Sequence, residues 1–392
     1  MRLLDALPVA LDPEQEALYR LAWPSGDLLA ETVAIAPTGR VLALGCAADP
    51  AVLAVAARVP AGRALVADDD AAAGERLLAQ AARAGMPWLR VADPWTLERE
   101  PGAQEQFDIA ILNTLYQPGK LVTRGLLALA HARLVPGGTL YVVGAKDRGI
   151  LPIADAVRWL FGNVAAPVMR KGQRVIAARR DTTPAAAGDP SRDPAATFNV
   201  TVGGEPLALA EDAAVFAGGR LDPATALLIE ALAVAPEDVV ADLGCGAGIV
   251  GLVAARRAAR GHVWLLDASH AAVRRAAANA RANAIANVTA VAGDALAPLR
   301  SLAIRPSVIA INPPFHIGQL QTHLVAHRFI AEAAERLARG GRCYLVANRF
   351  LPYEHELARH FGAVRELAGD ARYKVLLAEA PLTAAAAGEP AL

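Results

Sequence analysis

Apolar residues fall along this chain in two alternating rhythms. Short runs such as VVADL and VIAI give way to longer Ala/Arg/Leu segments whose apolar positions recur every three to four residues. A continuous apolar run of four to eight residues fits a strand buried on both faces, and the longer recurrence fits an amphipathic helix. In the C-terminal half this pattern predicts strands near 238–243, 262–267, 288–293, 308–312, 342–347 and 373–379, with helices between them. One helix opens at Asp222 as N-cap and Pro223 as first helical residue. The β-α-β order predicts an α/β fold built on a mostly parallel, doubly wound sheet.

The pattern occurs twice. VLALGCAADP reads against VADLGCGAGI, FDIAILNTLY against PSVIAINPPF, and RALVAD against HVWLLD. These pair Gly45 with Gly244, Asn113 with Asn312 and Asp68 with Asp267, each 199 positions apart. RLVPGGTLYVVG and RLARGGRCYLVA follow at a spacing of 203, and QRVIAARR and YKVLLAEA at 200. Five blocks in one order and nearly one spacing make the chain a duplication. A Pro-, Asp- and Thr-rich stretch separates the copies, so the expected division is a domain over 1–183, a linker over 184–197 and a second domain over 198–392.

Composition narrows the setting. The 392 residues are 54% hydrophobic and 20% charged, enough for two sizeable cores. No uninterrupted run of 18 apolar residues suggests a membrane span, and Asp5 and Pro8 break the N-terminal apolar patch that a secretory signal would need. Cys46, Cys245 and Cys343 are too few and scattered for a disulfide framework or a zinc site, so a cytoplasmic, metal-free protein is expected. Formal net charge is zero, which advertises no polyanion partner for the molecule as a whole. Only four of 39 basic residues are lysine; the arginines suit phosphate forks, but a general Ala/Arg bias gives the same count.

Chemistry concentrates in two places. DLGCGAG (Asp242–Gly248) follows a strand and precedes a helix, where glycines let a backbone approach a ligand and the helix N-terminus offers N–H groups to an anion. The spacing G-x-G-x-G, with Ile249 where a dinucleotide fingerprint needs glycine, differs from the nicotinamide type. A tight turn without ligand would use the same glycines. Asp267 ends the next strand where a ribose-binding carboxylate belongs, and Asp294 ends the third. Together these residues resemble the S-adenosyl-L-methionine (SAM) site of class I methyltransferases. That resemblance implies that Gly244, Gly246 and Gly248 pass the methionine part, Asp267 holds the ribose hydroxyls and Asp294 sits by the adenine amine, with Asp242 in the same loop.

The second place is INPPF. Two prolines stop a buried strand beside the glycine loop and present an amide and a ring. The Asn312 side-chain oxygen and the Pro313 carbonyl can each accept one N–H of a planar substrate's amine, and Phe315 can stack on its ring. A proline-stiffened loop with Phe315 in the core is the plain structural alternative. Asn-Pro-Pro-Phe resembles the signature of amino-group N-methyltransferases, which covers adenine-N6, guanine-N2 and glutamine-N5 enzymes.

The order of VFAGGRLDPATALLIEAL, DLGCGAGIVG, INPPFHIG and ANRFLPYEHELARHFG, together with the duplication, resembles the ribosomal RNA small subunit methyltransferase C family. The resemblance implies two tandem class I methyltransferase domains, the first degenerate, and SAM-dependent N2-methylation of a guanine in 16S ribosomal RNA or the small subunit. It brings in Phe216, Asp222 and Thr225 as residues closing over SAM, although Asp222 and Thr225 equally suit helix capping. His316 fits a positioning or surface residue, or a general base; Gln319, Gln321 and His323 could contact the flipped base or its sugar. A 23S-directed guanine-N2 enzyme, a glutamine-N5 protein methyltransferase and a non-catalytic SAM-sensing or RNA-chaperone module are the competing readings.

In the first copy Gly246 is answered by Ala47 and Gly248 by Asp49, a carboxylate that would repel a SAM carboxylate, while Pro313-Pro314-Phe315 becomes Thr114-Leu115-Tyr116. The first domain is therefore expected to bind neither SAM nor an amine, and to serve RNA grip or fold support. Its basic stretch (Arg170, Lys171, Arg174, Arg179, Arg180) reads either as a solvated edge or as a phosphate-contacting strip. With two domains per chain, a monomer suffices.

Overall fold

The computed structural model describes residues 3, 7–99, 105–181, 197–202, 204–210, 221–314, 316–317, 320–321 and 324–382. The chain divides into two compact units, Met1–Asp193 with His316–Gln321, and Pro194–Phe315 with Thr322–Leu392.

In the first unit seven strands, β1 (Arg40–Leu44), β2 (Arg63–Ala67), β3 (Leu89–Ala92), β4 (Phe107–Asn113), β5 (Leu134–Ala145), β6 (Ala165–Arg170) and β7 (Gln173–Arg179), form one sheet. Its order is β3-β2-β1-β4-β5-β7-β6, with β7 antiparallel to both neighbours. The second unit opens on the hairpin β8 (Thr197–Val202) and β9 (Glu205–Ala210), followed by β10 (Val239–Leu243), β11 (His262–Asp267), β12 (Val288–Ala292) and β13 (Val308–Ile311). The two-residue strands β14 (His316–Ile317) and β15 (Leu320–Gln321) come next in the chain but are grouped with the first unit, and β16 (Arg342–Asn348), β17 (Phe361–Gly369) and β18 (Tyr373–Pro381) complete the second. The second large sheet runs β12-β11-β10-β13-β16-β18-β17, the same order as the first.

The strands form where the apolar runs lie because helices cover both faces: all four residues of β13 are buried, as are four of five in β10. β17 is absent from the expected strands. Its sequence, FGAVRELAG, lies on the sheet edge with one buried residue and two charges, so it carries no continuous apolar run. Hairpin β8–β9 also lies outside the expected elements. It is tied to helix His270–Ala282 and its C-cap: the Ala208 and Ala210 amides donate to the Asn283 and Asn279 side-chain oxygens at 2.9 Å each.

The duplication extends to individual hydrogen bonds. Ala47 N donates to Asp68 at 2.6 Å in the first unit, and Gly246 N to Asp267 at 2.8 Å in the second. The second carboxylate oxygen takes the amide two residues on in each case, from Asp70 at 3.0 Å and from Ser269 at 2.9 Å. Among the described residues, no helix is long and apolar enough to cross a membrane.

Candidate active site

β10 ends at Leu243 and helix Ile249–Arg257 begins at once, so the intervening turn must reverse tightly. Gly244, Gly246 and Gly248 have φ of 76°, 54° and 85°, the left-handed region that side chains disfavour. Their surroundings differ. A Cβ on Gly248 would lie 3.0 Å from the Ala276 Cβ, whereas one on Gly246 would meet open space. Gly248 is the N-cap of the helix and supplies no side-chain cap; of the first turn, Gly251 N–H goes to Asp242, and the N–H groups of Ile249 and Val250 are left for an external acceptor. This glycine cradle, an uncapped helix start and the Asp267 carboxylate at the end of the adjoining strand fit a nucleoside carrying a carboxylate. Asp242 is buried and accepts from Gly251 N at 2.8 Å, bracing helix against strand; burial drives its carboxyl up to about 7. Gly251, not singled out in the sequence, leaves no room for a side chain there: a Cβ would run into Leu265 Cδ2.

Asp294 is paired with the Arg328 guanidinium, an arginine from helix Leu324–Arg336 that sequence reasoning missed. Only the approach of that helix to the end of β12 reveals it. The Cys245 thiol is buried and pushed well above its ordinary range, chiefly by desolvation, so it is no nucleophile.

Beside the loop, β13 ends in Asn312. Asp222 caps helix Pro223–Ala231, accepting from Thr225 N and from the Thr225 hydroxyl at 3.0 Å each. The hydroxyl has spent its single proton on Asp222 and so accepts from Asn312 Nδ2 at 3.0 Å; Asp222 Oδ2 lies 3.3 Å from the same nitrogen. Both contacts require the NH₂ side of the amide, and its oxygen therefore faces elsewhere. Asp222 and Thr225 thus cap a helix and orient Asn312 at once. Pro313 is buried and Pro314 exposed. Phe315, Phe216, Gln319 and His323 lie outside the described residues; His316 and Gln321 are described only as positions in β14 and β15.

The first unit provides the contrast. Asn113 Nδ2 donates to Asp49 at 2.7 Å and to Ser25 at 2.9 Å, and its oxygen accepts from Leu115 N at 3.2 Å. Asp49 also caps helix Pro50–Ala56 through Ala51 N at 2.9 Å, the place held by Gly248 in the second unit. Burial raises this carboxyl to about 6. The seat that is open in one copy is filled in the other by the chain's own carboxylate. The position matching Leu115 is Pro314, which has no N–H, so the backbone cannot take the Asn312 oxygen in the same way. Of the basic stretch in the first unit, Arg170 pairs with Glu31 at 2.9 Å, Lys171 lies 4.0 Å from the Trp23 ring centroid, and Arg179 and Arg180 bond to the carbonyls of Gly137 and Leu134.

The family model "Methyltransferase small domain" matches residues 24–177 and again 206–377. The chain is 34% identical over 267 residues to ribosomal RNA small subunit methyltransferase C of Stutzerimonas stutzeri, covering 68% of this chain and 77% of the relative. It is 30% identical over 273 residues to the protein of that name from Shewanella amazonensis, covering 69% and 77%. A solved structure of the T. thermophilus 16S rRNA N2 G1207 methyltransferase (RsmC), in complex with AdoMet and guanosine, superposes with a TM-score of 0.76 at 29% identity, covering 91% of this chain and 92% of that one. With the family model matching both halves and relatives 30–34% identical over about two thirds of the chain, the chain belongs to the ribosomal RNA small subunit methyltransferase C family.

Proposed function

We infer that this chain is a SAM-dependent methyltransferase acting on N2 of a guanine in 16S ribosomal RNA. The observation that carries the residue-level reading is the pair of asparagines: the Asn113 oxygen is consumed by a backbone N–H two residues on, and Asn312 is followed by two residues without one. SAM, when bound, supplies an electrophilic methyl carbon. The residues that would hold it are the Gly244–Gly246–Gly248 cradle braced by Asp242, Asp267 at the ribose, Asp294 at the adenine edge, and Phe216 and Thr225 over the methionine side.

A guanine N2 amine is a poor nucleophile because its lone pair is delocalised into the ring. Asn312 Oδ1 and the Pro313 carbonyl each accept one of its hydrogens, which favours the pyramidal nitrogen needed for bond formation. Thr225 and Asp222 hold the amide in that orientation before substrate arrives, so little is reorganised at the moment of reaction. Phe315 stacks on the base. In the transfer the amine lone pair would form the N–C bond as the methyl's bond to the sulfonium sulfur breaks, that electron pair leaving with the neutral thioether product, and the cationic nitrogen would shed a proton to water without a strong base. A guanine within paired RNA must be exposed or flipped to reach the elbow.

Residues 1–183, with their self-filled seat, act as RNA grip or fold support, 184–197 as linker, and 198–392 as the catalytic domain. The site residues all lie in the second unit, so a single cytoplasmic chain is sufficient. Labelled SAM offered with small subunits, naked 16S RNA, 23S RNA and a release factor separates the readings: label in 16S RNA is expected, and label confined to 23S RNA or protein would overturn this one.

A further inference from the structure

Phe350 is 79% exposed, the highest value among the exposed large apolar residues described. Single exposed apolar side chains are ordinary on a mobile surface. This one sits on a loop fastened from every side. Arg349 N donates to Arg372 O at 2.7 Å, and its guanidinium bonds Asp370 O at 2.7 Å and Glu366 at 2.9 Å. Leu351 N closes a turn on Asn348 O at 3.0 Å, Leu351 and Tyr353 are buried, and the buried Lys374 holds Glu354 at 2.6 Å. The backbone on both sides of Phe350 is therefore anchored, while its ring lies in water. Its place matters too. β13 and β16 are parallel neighbours with Ile311 opposite Leu345, so Asn312 and the loop after Asn348 share one rim of the sheet. Four residues beyond the level of Asn312 on the adjacent strand put Phe350 no further than roughly 20 Å from it. The exposed Arg372, its guanidinium 5.5 Å from the Tyr373 ring centroid, follows on the same rim.

We propose that Phe350 is a stacking platform for an RNA base adjoining the target guanine, with Arg372 beside it facing the phosphate backbone. This rests on the reading of the chain as an RNA methyltransferase and adds a positioning residue to it. An aromatic ring with a nearby guanidinium is the chemistry that holds unpaired nucleotides, since every base offers a π-face. Rigid presentation lets the ring fix the flanking nucleotide while the target enters the elbow.

The test compares Phe350→Ala, Phe350→Leu and Phe350→Tyr in the full chain, each checked for unchanged SAM affinity and thermal midpoint. On the RNA or subunit substrate that wild type methylates, Ala and Leu are expected to lower kcat/KM about tenfold or more and Tyr to retain it. The loss should fall mainly on KM. Ala and Leu variants within twofold of wild type overturn the proposal. So does full rescue by Leu, which would mark a protein pocket instead of a base. Wild-type protein that methylates no RNA overturns the function reading and this inference with it, whereas active wild type with unimpaired Ala and Leu variants overturns this inference alone.

Discussion

Pro314→Ala adds one hydrogen-bond donor at a place where the first unit shows what such a donor does. Leu115 N, at the matched position, sits 3.2 Å from the Asn113 oxygen and closes a local turn. With an N–H at 314 the Asn312 oxygen gains an intramolecular partner that competes with the substrate amine. A net hydrogen bond contributes about 0.5–1.5 kcal/mol, and loss of proline rigidity adds about 0.4–1 kcal/mol of ordering cost. Together these predict a fall in kcat of about 5- to 60-fold, since 1.4 kcal/mol is a factor of about ten. SAM affinity should not change, because the glycine cradle is untouched. Pro313→Ala is the control: its new N–H lies one residue on, not at the turn-closing position, and its effect should be smaller. Single-turnover methyl transfer with labelled SAM, beside calorimetric SAM binding, reads both quantities. Wild-type kcat in Pro314→Ala would refute the idea that the prolines keep the amide oxygen available.

Two further outcomes follow from the paired sites. Gly248→Asp imports the carboxylate of Asp49 into the open cradle; two like charges about 4 Å apart at an effective dielectric of about 20 repel by about 4 kcal/mol, so SAM affinity should fall on the order of 10³-fold. Calorimetry against Gly248→Ala separates that charge from the strain of a side chain at φ 85°. For Asp49, burial raises the folded-state carboxyl to about 6 from an unfolded value near 3.9, so the folded state binds protons more tightly. Its contribution is fully present below about pH 4 and is lost as pH rises through about 6, a change on the order of 3 kcal/mol. Asp49→Asn keeps a capping oxygen and should flatten this slope in denaturant titrations between pH 4 and 7; an unchanged slope would show that Asp49 is not the group responsible.

Much of this architecture was legible in the sequence because its central strands are buried on both faces and read as apolar runs. The five matched blocks show the duplication from the sequence alone, and the glycines at 244, 246 and 248 all occupy left-handed backbone. Edge strand β17 was not legible, since one buried residue in nine gives no periodic signal. Arg328 was equally hidden: its pairing with Asp294 joins residues 34 apart, and no local motif announces a long-range ion pair. The dual use of Asp222 and Thr225 needed the structure as well. Their sequence gives a helix cap, and only the end of β13 beside that cap shows that the same atoms turn Asn312.

The most direct measurement is nucleoside analysis of 16S RNA after reaction with labelled SAM, comparing wild type with Asn312→Ala. Label is expected in N2-methylguanine alone, with a loss of about 100-fold or more in kcat for Asn312→Ala at unchanged SAM affinity. Label in another nucleoside, or an Asn312→Ala protein that binds SAM and works at the wild-type rate, would contradict this reading.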